Sequence, residues 1–436
     1  MSKIDSILKP FQYFGVNLGL ERIERLLEKL DNPHQRVPII HVAGTNGKGS
    51  VCAYLSSILA EAGYKVGRYT SPHLVDWTER ICINSRSISN KDLEATLLQI
   101  QQVIDPTVET PTLFEIVTAA AWLYFAQQKV DVAVMEVGLG GRLDATNVCS
   151  RPLVSIIVSI SREHWQRLGP TLADITREKA GILKPSCPAV IGKLPAEAKA
   201  VVASRIDELN CPVVWVKPAI ESNIQREQGI GNGEQLQLDT VSSDTTERWG
   251  EYEGREYPLP LLGEVQLMNS AIAIAAIKIL QQKGWKIPLS AIKTGMAKTR
   301  WSGRLQWTTW GDRPILIDGA HNEAAAIALR QYIDTLNKPV CWVIGILSTK
   351  DHSKILKAIL RPGDRLLLVP VPDRDTATPE ALANIAKNIS PELEDCQTFS
   401  ELFTALELAF ENKNNSSELV VLCGSLYLIG YFLKQR

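Results

Sequence analysis

Neither sign of charge dominates this chain: 47 Lys and Arg stand against 48 Asp and Glu, a net charge of −1. That balance removes the electrostatic ground for a nucleic-acid or anionic-membrane partner. No two cysteines are spaced as CxxC. The eight present, at 52, 82, 149, 187, 211, 341, 396 and 423, offer no metal-ligand pattern. Several sit in apolar strand-like runs as small core residues, which fits a reducing cytoplasm. A long apolar run is missing too. The longest, residues 419–433, is broken by Gly424, Ser425 and Gly430 and falls short of the roughly 20 residues a bilayer span requires. It reads as a buried strand and helix. The first twelve residues lack an apolar h-region and a cleavage pattern, so no export is expected. Internal repeats and low-complexity tracts are also absent.

What remains is a globular composition, 45% hydrophobic and 22% charged over 436 residues, long enough for two domains. Strand-like runs at 37–43, 66–70, 131–137, 154–160, 189–191 and 213–216 alternate with helical patterns such as 91–104 and 113–128. This predicts a mostly parallel α/β sheet covered by helices. Residues 217–258 are polar and hold Gly229-Ile230-Gly231-Asn232-Gly233, a loop or irregular antiparallel patch. Residues 268–283 form an alanine-rich, closely packing helix. A boundary falls near 293–299, and a second α/β unit follows, with strands at 315–317, 340–346, 365–369 and 419–423. The division expected is 1–296 and 297–436.

The most telling stretch is Gly44-Thr45-Asn46-Gly47-Lys48-Gly49-Ser50, between an apolar strand and a helix pattern. Glycines let backbone amides converge, the helix start adds its dipole, and Lys48 adds a cation: a phosphate cradle for ATP. It departs from GxxxxGK[ST], because Gly49 follows Lys48 and the hydroxyl comes at Ser50. Glu136 ends the strand that opens Glu136-Val137-Gly138-Leu139-Gly140-Gly141-Arg142-Leu143-Asp144. It either caps the next turn or holds Mg²⁺, which favours hard oxygen ligands. His164 closes the next strand segment, as a structural histidine or a partner of Glu136 on an ion. Lys179 lies on a helical pattern, solvent-facing by default. Further on, Arg304 is either a surface salt-bridge partner or a fork for phosphate. Asp318, His321 and Asn322 share one short loop, where His321 has a helix-start hydrogen bond as its plain alternative.

In this order these motifs resemble the folylpolyglutamate synthase/dihydrofolate synthase family of the Mur ligase superfamily. The match starts at Leu18-Gly19-Leu20-Glu21-Arg22-Ile23. It runs through the phosphate loop, Thr70-Ser71-Pro72-His73, Thr112-Leu113-Phe114-Glu115, Glu136 to Asn147 and Glu178-Lys179-Ala180-Gly181. It ends with Asn269, Arg304, Asp318 to Asn322, Lys350-Asp351 and Gly424-Ser425-Leu426-Tyr427. The resemblance implies a P-loop NTPase-like N-terminal domain, of the Mur ligase central-domain type, and a smaller Rossmann-like C-terminal domain with the site in the cleft. It implies a cytoplasmic monomeric ligase that uses ATP to prime a carboxylate, of dihydropteroate or of a folate's glutamate tail, for amide formation with L-glutamate.

Residue roles follow from the same resemblance. Gly44, Thr45, Asn46, Gly47, Lys48, Gly49 and Ser50, with Asn269, Arg304 and Asp318, would bind nucleotide. Ser71, Glu136 and His164 would hold magnesium, with a carbamylated Lys179 bridging to a second ion. Lys48, Lys179, His164 and His321 are the catalytic candidates. Leu18, Gly19, Leu20, Glu21, Thr112, Leu113, Phe114, Glu115, Leu143 and Asp144 would meet the pterin. The chain departs from the family pattern at Glu163, Val265, Ser302, Gln306 and Glu323. Alternatives are a peptidoglycan-precursor ligase, a catalytically silent nucleotide binder and a kinase or simple ATPase.

Overall fold

The structure, a computed structural model, describes residues 3–15, 17–105, 107–222, 248–411 and 418–436. Two compact units emerge: Met1–Pro218 with Met268–Trp301, and Ala219–Leu267 with Ser302–Arg436. The glycine-rich patch expected at 229–233 lies outside the described residues.

The first unit is built on an eight-stranded sheet. Its strands are β1 (Ile39–Ala43), β2 (Val66–Tyr69), β3 (Ile81–Ile83), β4 (Arg86–Ser87), β5 (Val132–Glu136), β6 (Val154–Ile157), β7 (Ala189–Ile191) and β8 (Val213–Trp215). Their order is β4-β3-β2-β5-β1-β6-β7-β8. From β2 to β8 every pairing is parallel. The central strands β1, β5 and β6 are buried along their whole length, as expected where helices cover both faces. The hairpin β3–β4 was not foreseen. Asn84 and Ser85, both with positive φ (46° and 63°), form the two-residue turn whose twist suits adjacent antiparallel strands.

Helices Glu21–Lys29, Asn90–Val103 and Leu113–Gln127 pack on one side of the sheet around Trp122, Phe125 and Ile23. Helix Lys48–Glu61 is buried over most of its length. It lies against helix Leu289–Lys298 so closely that a Cβ on Gly295 would sit 2.4 Å from the Cα of Ile58. The alanine-rich helix runs Val265–Gln282, three residues earlier than expected. Its Ala271, Ala273, Ala275 and Ala276 are buried, since only small side chains permit that approach.

The second unit holds an antiparallel sheet of β9 (Ile220–Ser222), β10 (Trp249–Tyr252) and β11 (Arg255–Pro258), ordered β11-β10-β9. Its other sheet has six strands: β12 (Gln306–Trp310), β13 (Arg313–Ile317), β14 (Val340–Ile344), β15 (Arg365–Leu368), β16 (Asp395–Thr398) and β17 (Leu419–Cys423). The order is β12-β13-β17-β14-β15-β16, parallel except at the β12–β13 hairpin. The interrupted apolar run near the C-terminus is β17 followed by helix Leu426–Gln435. No helix of the described residues is long and apolar enough to cross a membrane.

Candidate active site

In a parallel sheet all strands end on the same edge, and groups placed there face one crevice. In the first unit, β1 runs into Gly44 and the phosphate loop, while β5 ends at Glu136. Ser71 follows β2, and Ser159 to His164 follow β6. Four neighbouring strands thus deliver the expected groups to one edge.

The phosphate loop is pinned before any ligand arrives. Gly47, at φ 85°, precedes the first residue of helix Lys48–Glu61. Lys48 Nζ donates to the carbonyls of Gly44 and Thr45, each at 3.1 Å, and lies 3.9 Å from Glu136 Oε1. The amide of Ser71 donates to Glu136 Oε2 at 3.3 Å. Asn269 stands directly over the loop, where a Cβ on Gly47 would be 2.5 Å from its Oδ1. Gly49 is accounted for in the same way: its Cβ would fall 2.4 Å from Cζ2 of Trp301. The hydroxyl residue usual after the lysine has no room here.

Lys179 is 4% exposed, which corrects the solvent-facing default. Its Nζ donates to the Gly44 carbonyl at 2.9 Å, so two ammonium groups converge on one oxygen. Burial pushes its pKa down to about 7, with the charge of Lys48 acting in the same direction against Glu163 and Asp144. The helix carrying it, Leu172–Ala180, is locked to the glycine-rich loop after β5. Gly181 abuts Arg142, whose Cα would be 2.5 Å from an added Cβ. Asn147 Nδ2 donates to the carbonyls of Arg142 and Gly181.

His164 is not a simple strand-end residue. It adopts a left-handed backbone (φ 52°, ψ 28°) just before helix Trp165–Leu168, and its half-exposed ring lies 3.9 Å from Glu163. Such backbone strain in a non-glycine residue gathers at functional sites. Among the described residues no group of three His, Cys, Asp or Glu side chains forms a ready metal cluster. The expected donors, Ser71, Glu136 and His164, include only two of those types. A hydroxyl, a carboxylate and an imidazole suit an ion that takes its remaining ligands from phosphate and water, the habit of Mg²⁺. The donor set therefore fits.

Of the pterin candidates, Glu115 is tied down fully. It shares a capping box with Thr112, Thr112 N donating to Oε2 at 2.7 Å. It also accepts from Arg22 Nε at 3.1 Å through both oxygens. Arg22, for which the sequence suggested no role, donates as well to the Asn17 carbonyl and to Glu109. It thereby joins the Leu18 to Glu21 segment to the start of helix Leu113–Gln127. Phe114 lies on Gly138, where a Cβ would meet its ring at 2.4 Å. Asp144 turns into its own loop, accepting from Leu139 N, Thr146 N and Thr146 Oγ1. Burial raises its pKa.

In the second unit Asp318 is buried after β13 and accepts from the amides of Leu305 (2.8 Å) and Ala320 (2.7 Å). Burial raises its pKa while Arg304 opposes. Arg304 packs over Gly319, its Nη1 2.5 Å from where a Cβ would stand. His321 Nδ1 meets the Gly319 carbonyl at 2.7 Å, so that nitrogen carries the proton. Asn322 caps helix Glu323–Asp334, whose first residue is the divergent Glu323. Gln306, another departure, accepts from Gly303 N at 2.8 Å.

A phosphate loop at the edge of a parallel sheet, with an acidic strand end, a buried second lysine and a separate α/β unit, defines an ATP-dependent ligase of the Mur type. Residues 42–277 match the Mur ligase middle domain and residues 304–435 the dihydrofolate synthetase C-terminal domain. The chain is 34% identical over 431 residues to the dihydrofolate synthase/folylpolyglutamate synthase of Bacillus subtilis, covering 97% of this chain and 96% of that protein. The structure of Escherichia coli FolC in complex with DHPP and ADP superposes with a TM-score of 0.81 at 29% identity, over 99% of this chain and 96% of that one. A bifunctional folylpolyglutamate synthase/dihydrofolate synthase from Yersinia pestis, complexed with AMPPNP and Mn ion, gives 0.80 at 27%, over 100% and 98%. The chain belongs to the dihydrofolate synthase/folylpolyglutamate synthase family.

Proposed function

We propose that this chain uses ATP to join L-glutamate to the carboxylate of dihydropteroate, to the γ-carboxylate of a folate's glutamate tail, or to both. The observation that carries the reading is Lys48, Glu136 and Lys179 gathered at the phosphate loop of a chain that matches this family along its whole length. A carboxylate oxygen of the acceptor attacks the γ-phosphorus of ATP and ADP leaves. The glutamate nitrogen then attacks the acyl carbon, phosphate departs with the C–O bonding pair, and the nitrogen loses a proton.

Both steps bring anions together, so the site's task is to neutralise charge and hold the reactants in line. Lys48 and the amides at the start of helix Lys48–Glu61 bind the phosphates. Asn269 lies beside them, while Arg304 and Asp318 of the second unit serve the nucleotide. Magnesium held by Ser71, Glu136 and His164 neutralises phosphate charge when bound. A carbamate on Lys179 converts a cation into a carboxylate for a second ion. The low pKa of Lys179 supports this, because only the neutral amine reacts with CO₂. His321 is a further catalytic candidate, and Leu18 to Glu21 with Thr112 to Glu115, Leu143 and Asp144 form the pterin side. Functionally, residues 1–296 carry nucleotide and pterin and residues 297–436 complete the ligase, as a cytoplasmic monomer.

The test is phosphate release from ATP, with the product identified by mass spectrometry. Release is expected only when L-glutamate and a pteroate or folate are both present, with a mass gain of one glutamate residue. Release without either substrate would make the chain an ATPase. Parallel runs with dihydropteroate and tetrahydrofolate decide which acceptor it takes.

A further inference from the structure

The phosphate loop is held from one side by the segment that follows β6, 113 residues further along the chain. Thr45 N donates to the Ser159 carbonyl at 2.8 Å. Asn46 N donates to Ser159 Oγ at 3.0 Å, and the same hydroxyl donates back to the Asn46 carbonyl at 2.9 Å. Ser161 N donates to Thr45 Oγ1 at 3.0 Å, and that hydroxyl donates to the Ser161 carbonyl at 3.2 Å. Gly44 permits the approach, since a Cβ there would lie 3.1 Å from the backbone of Ser159.

These bonds fix the direction of successive peptide planes. A trans peptide points its N–H and C=O to opposite sides. With the Asn46 carbonyl drawn toward Ser159, the Gly47 N–H faces away from that segment. With the Thr45 and Asn46 amides turned toward Ser159, the Gly44 and Thr45 carbonyls face the other way, where Lys48 takes both. Glycine at position 47, with φ 85°, makes rotation of the 46–47 peptide easy. Rotated, it would aim a carbonyl oxygen at the phosphates in place of an N–H donor.

We propose that Ser159 is a positioning residue for the nucleotide: its hydroxyl holds the Asn46–Gly47 peptide with the donor facing the phosphates. Thr45 supports it through Ser161. The same contacts join the phosphate loop to the segment that leads into Glu163 and His164, so loop and metal candidates are set by one strand end. This inference rests on the ATP-binding part of the proposed function and is independent of which acid is the acceptor.

The experiment is calorimetric titration with ADP and with a non-hydrolysable ATP analogue, using the full-length wild type, Ser159→Ala, Ser159→Thr, Thr45→Val and Thr45→Ser. Two hydrogen bonds are lost in Ser159→Ala, and about tenfold weaker nucleotide binding is expected. Ser159→Thr, which keeps the hydroxyl, restores most of it. Thr45→Val behaves like the alanine variant, and Thr45→Ser, which keeps the hydroxyl, restores most of the loss. In turnover assays the KM for ATP rises while the KM for L-glutamate stays within twofold. Wild-type nucleotide affinity in Ser159→Ala would overturn the proposal. So would equal weakening in Ser159→Ala and Ser159→Thr together with a lowered Tm, because that marks a packing role. If wild type binds nucleotide yet joins no glutamate, the proposed reaction fails and this inference stands.

Discussion

Changing Gly49 to alanine tests whether packing, not chemistry, placed a glycine after the phosphate-loop lysine. The added Cβ would lie 2.4, 2.7 and 2.8 Å from Cζ2, Cε2 and Nε1 of Trp301, about 1 Å inside ordinary carbon contact. Retreat of the ring would disturb its contact with the Arg68 guanidinium, whose carbon stands 5.1 Å from the ring centroid. Overpacking of this kind costs about 1–3 kcal/mol. Alanine returns up to about 1 kcal/mol of helix propensity, less in a first turn. The net expectation is a loss of about 1–2 kcal/mol, or about 3–6 °C in Tm for a unit of this size. Scanning calorimetry of Gly49→Ala, Trp301→Ala and the double variant measures it. In the Trp301→Ala background the Gly49 substitution becomes neutral or stabilising, a coupling of at least about 1 kcal/mol. Gly49→Thr, which restores the hydroxyl usual at this place, is more damaging than Gly49→Ala, and nucleotide binding falls with it. A Gly49→Ala protein as stable as wild type, with Trp301 intact, would refute the reasoning.

His41 carries an acid-stability expectation. The Thr146 hydroxyl donates to Asp144, so His41 donates to Thr146 through Nε2, and its buried Nδ1 has no partner. Burial, helped by the charge of Lys184, pulls its pKa from 6.5 to about 3. The folded state then binds fewer protons than the unfolded chain between those values. Stability is full above pH 6.5 and falls by about 1.4 kcal/mol per unit on acidification. In His41→Gln the loss between pH 6.5 and 4.5 shrinks by about 2–3 kcal/mol, and identical pH slopes would contradict this. Arg22→Met strands the Glu115 carboxylate, whose side chain is 3% exposed, at a cost of about 3–5 kcal/mol in denaturant unfolding. Arg22→Met with Glu115→Leu recovers much of it, and a mild single variant would show that the pair is not needed. Lys179→Ala loses most ligase activity and regains part with added short carboxylates; full activity without them removes the carbamate.

What could be read from the sequence is local, and what could not is partnership at a distance. Fully buried strands announce themselves as apolar runs, unbroken in β17, closed by Glu136 in β5 and interrupted only by His41 in β1. The edge strands β4 and β16 are short and wholly or partly exposed, so no run marks them, though Asn84-Ser85 carried the turn signal for β3–β4. The phosphate loop is legible because its function resides in backbone amides, which only glycines and a helix start can arrange. Its stabilising contacts are not, because a serine 113 residues away looks like any other serine. Arg22 and Glu115, 93 residues apart, likewise hide inside motifs whose visible letters point to ligand. Even Gly49, read alone, is a departure from a phosphate-binding pattern. Beside Trp301 it becomes the one residue that lets an indole rest on the helix start, so the deviation and the tryptophan are two halves of a single packing requirement. An apparent loss in such a motif therefore weighs little against function until the neighbour that required it has been found.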